Sequence, residues 1–237
     1  MPAEIDKALT DFFASEYWKA VEKGYGMKLE EVDLNTPDYD MLRKLEQSVY
    51  QFAAAKNYQQ LKAISQALLD QQGQLRSFEQ FRQAAAEINN EFVNQWLKAE
   101  YNYAVASSQM AGKWLQIQKE KELLPLLQYN TVGDDRVRPA HQELEVVIRP
   151  VDDDFWSIYY PPNGWNCRCT VLQLDSGRIT PIEKINLPEN MPDLFKYNSG
   201  KQAMAFPPGH PYYDGLPGDI KNEADKLWIE KRKNLNG

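Results

Sequence analysis

At 237 residues and 27.4 kDa the chain is long enough for one large domain or two modest ones. Its 43% hydrophobic, 12% aromatic and 26% charged residues are those of an ordinary folded protein, and no window approaches the roughly eighteen apolar residues of a membrane span. A formal charge of −7 and a pI near 5.0 argue against a nucleic-acid binder working through a broad basic surface, since phosphate neutralisation needs clustered Lys and Arg, although a local patch stays compatible.

The first residues, MPAEIDKALTDFF, lack the basic start and continuous apolar run of a secretory signal, so a cytosolic protein is expected. Over residues 4–24, Ile5, Leu9, Phe12, Phe13, Tyr17 and Val21 recur mostly every three or four positions and predict a helix, which Gly24 and Gly26 end. After a connector at 29–34, Thr36, Pro37 and Asp38 supply a capping hydroxyl, a proline for the first helical position and an acid for the first turn. A second helix follows through Leu42, Leu45, Val49, Phe52 and Ala53. Lys56, Asn57 and Tyr58 are expected to interrupt it before a further helix through Leu61, Ile64 and Leu68 that closes near Gly73. Ser77 with Gln80 makes a capping box at the head of the longest tract, 78–110, where Phe81, Ala85, Ile88, Phe92, Trp96, Ala99, Tyr103 and Val105 recur at nearly helical spacing. The pattern resumes at Trp114 and runs to about Leu124, where Pro125 breaks it.

Past that point the composition changes. Eleven of the fourteen prolines lie between Pro139 and Pro217, among Gly, Asp and Asn and short β-prone runs at 146–148 and 170–172. A final helix is predicted over 220–234, with Leu227 and Ile229 apolar and Lys231, Arg232 and Lys233 near its end. The expected fold class is α+β: a mainly helical region over 1–124, as a bundle or long hairpin, followed by a small loop-rich module with short strands over 125–237. There is no internal repeat and no low-complexity segment.

The rare residues concentrate at 129–171: both cysteines, one of two histidines and two of six tryptophans. Cys167 and Cys169 are two apart, so on an extended run both thiols face one side and Arg168 the other. A bridge between them would close a strained ring, leaving reduced thiols or metal ligands. His141, Cys167 and Cys169, with His210 as a candidate fourth donor or one of Asp152, Asp153 and Asp154, form a coherent zinc set. Two small buried hydrophobes beside aromatic rings are the commoner reading of such cysteines. A structural role is likewise the commoner reading of each histidine, a turn in the case of His210. Asp134, Asp135, Arg136 and Arg138 read as an ion-pair and turn network rather than an acid–base pair. Asp152 to Asp154 read as a solvated turn, with divalent-cation binding as the alternative. Trp156, Tyr159, Tyr160 and Trp165 are the expected apolar centre of the module. No phosphate loop, nucleophile elbow or HExxH pair is present.

Three blocks in order, YNTVGDDRVRPAHQEL at 129–144, VDDDFW at 151–156 and YPPNGWNCRCTV at 160–171, resemble the Mu F-like phage head morphogenesis, or minor capsid, proteins. Pro161, Pro162, Gly164 and Trp165 belong to the third block, and the helix at 94–114 resembles the one preceding the motif in that family. The resemblance covers about a third of the chain. It implies a non-enzymatic role in head assembly of a phage or prophage, with portal, scaffold or other head proteins as partners, in the host cytoplasm and in some cases the virion head. Some family members carry a cysteine pair where this chain has Arg138 and His141, followed by the same CRC run. The resemblance therefore supports His141, Cys167 and Cys169 as a metal remnant, with zinc the candidate ion and no cofactor certain. Glu145 stands where the family often has glycine. The alternative is an enzyme, a metal-dependent hydrolase or nuclease or a toxin-like activity, built on the same three residues. Nucleic acid is a partner left open and not indicated by charge; a membrane is not expected.

Overall fold

The computed structural model describes residues 4–235 and shows the expected α+β chain. Four long helices come first: α1 (Lys7–Tyr25), α2 (Pro37–Gln66), α3 (Phe78–Asn90) and α4 (Leu97–Glu120). Then follow β1 (Leu126–Asn130), α5 (Pro139–Gln142), β2 (Ile148–Pro150), α6 (Phe155–Ile158), β3 (Thr170–Leu174), α7 (Ser199–Gln202) and α8 (Gly218–Leu235). Among the described residues no helix is long and apolar enough to cross a membrane.

Local chemistry accounts for most boundaries. Ser77 caps α3 through the predicted box, its hydroxyl accepting from the Gln80 N–H and its own N–H donating to the Gln80 side chain. Gly26, at φ +81, ends α1 and donates its N–H to Glu22 O at 2.9 Å. Gly24 has a different task from the predicted one: it lies inside α1, and a Cβ there would sit 2.1 Å from the carbonyl oxygen of Val105 on α4. The predicted tract at 78–110 is helical throughout but contains a π-helical turn, Glu91–Trp96, between α3 and α4.

The interruption expected at Lys56, Asn57 and Tyr58 does not occur: α2 runs through all three, and each is wholly buried. Lys56 and the Asn57 carbonyl oxygen find tertiary partners, whereas Asn57 Nδ2 and the Tyr58 hydroxyl are buried without a hydrogen-bond partner. Lys56 Nζ bonds Glu100, and Asn57 Oδ1 accepts the Asp6 N–H at 2.7 Å.

The chain forms two compact units, each assembled from segments distant in sequence. The first comprises the residues up to Lys19, Glu46–Tyr101 and those from His210 on. Phe13, Tyr17, Val49, Phe52, Ala53 and Tyr58 are among its fully buried side chains. Within that apolar interior Glu100 accepts hydrogen bonds from Lys56, from Tyr17 at 2.5 Å and from Tyr212 at 2.8 Å. The Lys56 ammonium also lies 4.7 Å from the Phe13 ring centroid. Burial lowers the Lys56 pKa and the Glu100 carboxylate opposes the shift, so the two charges are tolerable only as a pair. Helix α8 is attached by polar side chains: Glu46 accepts from Trp228 at 2.7 Å and Arg232 at 2.5 Å, and Asp225 accepts from Gln47 and Gln51.

The second unit comprises Ala20–Leu45 and Asn102–Gly209. Its sheet is antiparallel in the order β2-β1-β3, with Leu127 opposite Arg149 and Tyr129 opposite Val171. The strand expected at 146–148 begins only at Ile148, because Val146 takes φ +57 and its N–H turns to Tyr129 O. Helix α4 supplies Met110, Trp114 and Ile117, one stripe at helical spacing, to a core that includes Leu127, Tyr129, Val171, Phe155, Trp156 and Tyr160. Gly200 of α7 lets backbone meet that stripe, since a Cβ there would fall 2.2 Å from Trp114 Cβ.

Candidate functional site

The first and third motif blocks fold around one buried polar point in the second unit. Arg138 has extended backbone and Pro139 takes the first helical position, so the single turn α5 starts there and directs His141 inward, where it is 3% exposed. The Cys167 to Cys169 run lies outside any regular element and leads directly into β3. It shows the expected alternation, with both cysteines buried and Arg168 exposed. Cys169 Sγ lies 3.5 Å and Cys167 Sγ 3.7 Å from His141 Nδ1. These three side chains are the group of His, Cys and carboxylate residues that converges closely enough to hold one ion among the described residues, with ligand atoms all within 4.8 Å of one another.

Asn163, 1% exposed, organises the surroundings. Its carbonyl oxygen lies 3.3 Å from His141 Nε2, and its Oδ1 accepts the Tyr129 hydroxyl at 3.0 Å. Its amide group donates to the carbonyls of Tyr160 and Phe195. Burial raises the Tyr129 pKa, helped by the neighbouring Cys169 and Cys167, so this phenol stays a hydrogen-bond donor. The thiols share a hydrogen bond that lowers the Cys167 pKa, an effect to which His141 adds, and raises that of Cys169 along with burial.

An outer set of contacts fixes the loops. Arg168 grips Asp134 with two hydrogen bonds of 2.7 Å, and Arg136 adds a third ionic contact at 3.2 Å. The Arg168 guanidinium beside Asp134 holds its carboxyl well below the usual range. Arg138 takes a different partner, donating to Trp165 O at 2.6 Å across Gly164, where a Cβ would stand 3.2 Å from the guanidinium. Asp135 is exposed. The Pro161–Pro162 bond is cis. Trp156 and Tyr160 lie in the core, while Trp165 and Tyr159 are half-buried at its margin.

The other candidate ligands have other occupations. His210 belongs to the first unit, where Nδ1 accepts the Tyr212 N–H at 3.2 Å and the ring packs on Phe52 and Tyr212. Asp152 pairs with Lys121, and Asp153 pairs with Arg149 while accepting the Phe155 N–H. Sequence reasoning missed the roles of Tyr129 and Asn163; the asparagine reads as an ordinary turn residue in PPNG, and nothing local marks its three long-range contacts, to Tyr129, His141 and Phe195.

A family model described as Phage Mu protein F like protein matches residues 16–172, and the chain belongs to this family. It is similar to protein F of Escherichia phage Mu, which is named for capsid assembly: 42% identity over 82 residues, 35% of this chain and 19% of that protein. It is also similar to the Mu-like prophage FluMu F protein of Haemophilus influenzae, with 38% identity over 64 residues, 27% of this chain and 16% of the relative. The chain thus matches less than a fifth of the length of either relative. No solved structure matches it significantly.

Proposed function

We propose that the chain is a minor capsid protein that acts in phage head morphogenesis as a non-enzymatic assembly factor. The observation that carries this reading is the family match over residues 16–172, which takes in the long helices together with all three motif blocks. A relative named for capsid assembly supports the same role. The partners of this reading are the portal, the scaffold or other head proteins, met in the host cytoplasm, with retention in the virion head as a further outcome. The acidic balance favours protein partners over bare nucleic acid.

Sedimenting procapsids and portal complexes from an induced lysate, and probing them for this chain, tests the role. Co-sedimentation with either is expected; a chain that stays wholly in the soluble fraction while heads form contradicts it. The Cys2His set favours one second reading, a metal-dependent hydrolase or nuclease centred on His141, Cys167 and Cys169. Its test is hydrolysis of nucleic acid by the zinc-loaded chain that is lost in Cys167→Ser.

A further inference from the structure

We propose that His141, Cys167 and Cys169 hold one zinc ion through Nδ1 and the two Sγ atoms, and that this ion staples α5, in the first motif block, to the CRC run of the third. The proposal rests on side-chain geometry and is independent of the assembly role.

The first support is convergence. A neutral imidazole nitrogen has one lone pair and can accept from only one thiol, yet both sulfurs approach Nδ1, at 3.5 and 3.7 Å. Tetrahedral zinc, with Zn–S of about 2.3 Å and Zn–N of about 2.0 Å, separates sulfur from nitrogen by about 3.6 Å. Both sulfur–nitrogen separations therefore match edges of such a tetrahedron, and all three ligand atoms lie within 4.8 Å of one another.

The second support is the tautomer. Asn163 O can only accept, so the bond at 3.3 Å places the ring proton on Nε2 and turns the Nδ1 lone pair toward the sulfurs. A backbone carbonyl holding the far nitrogen of a ligating histidine is the usual supporting arrangement at metal sites. The third support is charge. Two thiolates and a neutral imidazole cancel the charge of Zn2+, which suits ligands exposed by only 3%, 7% and 9%. The nearby Arg168 does not disturb that balance because Asp134 holds it. Thiolate and imidazole together select zinc over magnesium or calcium.

The fourth position falls to a non-protein ligand, water in the isolated chain, since neither His210 nor the Asp152 to Asp154 run joins the group. The neighbouring groove is lined by Arg138, Pro139, Ala140, Glu143 and the 186–190 loop, without any of the three ligands. That burial fits an ion that ties α5 to the CRC run better than one open to a substrate.

The test is elemental analysis and cobalt substitution of the full chain. About one zinc per chain is expected after desalting, with the thermal midpoint falling when a chelator removes it. Cys167→Ser and Cys169→Ser each lose most of the metal, whereas His141→Cys, which keeps three soft donors, retains it. Should the serine variants fail to fold, the wild-type protein still decides: stripped of metal and titrated with Co2+, it must develop the absorption of tetrahedral cobalt–thiolate coordination. A folded wild-type chain that takes up no zinc and gives no cobalt–thiolate band overturns the proposal. So does a Cys167→Ser, Cys169→Ser double variant that binds metal as well as wild type.

Discussion

Asn163 shows how much one buried amide can carry. It accepts from Tyr129, donates to two backbone carbonyls and, through its own carbonyl, orients His141. Asn163→Ala removes the side-chain partners of a buried phenol and two carbonyls at once, and unsatisfied buried groups cost about 1–3 kcal/mol each. A loss of roughly 3 kcal/mol in urea unfolding is expected on that basis; a midpoint equal to wild type contradicts the network. His210 gives the residue scale a pH dependence. Burial first, then the Lys56 charge, push its pKa down to about 4. The unfolded chain, with an ordinary histidine near 6.5, therefore takes up the proton first on acidification. The stability His210 contributes is whole above about pH 6.5 and is lost as pH falls from there to about 4, with a slope approaching about 1.4 kcal/mol per unit. His210→Asn keeps a side-chain acceptor for the Tyr212 N–H and removes that component. Equal slopes for the two proteins across this window in urea unfolding would refute the assignment.

At the scale of elements, the buried pair between α2 and the start of α4 carries a sharp expectation. Lys56→Met leaves the Glu100 carboxylate facing an apolar interior with only tyrosine donors, a change that typically costs about 3–5 kcal/mol. Adding Glu100→Gln removes the orphaned charge yet keeps an acceptor for Tyr17 and Tyr212, so the double variant is expected to regain part of the loss in chemical denaturation. A double variant less stable than the single one would contradict this account. The same residues show where the sequence misleads. Helical periodicity and capping at Ser77 are local and readable, while α4 halts at Glu120, short of the end expected near Leu124. Lys56 and Asn57 look like part of a break because their partners, Glu100 and Asp6, lie far away in the chain. β1 goes unseen for a related reason: LLQYN carries little β-branched character, and its pairing with β2 and β3 makes it a strand. In the candidate site, the facing of Cys167 and Cys169 was legible from their spacing. The approach of His141, and the part played by Asn163, required a fold.

Each of the two units draws on segments distant in the chain that no local pattern connects. The three blocks at 129–171, with the Asp134 loop, the Phe155 and Trp156 anchor and the CRC run, all lie within one continuous segment of the second unit. Membership of the Phage Mu protein F like family is the basis for proposing a role in head assembly. The most direct test is an in-frame deletion of its gene from the phage or prophage that carries it, with head particles counted by electron microscopy and a plasmid copy supplied for complementation. Few or aberrant heads are expected, restored by the wild-type copy. Normal numbers of mature, DNA-filled heads in the deletion strain would contradict it.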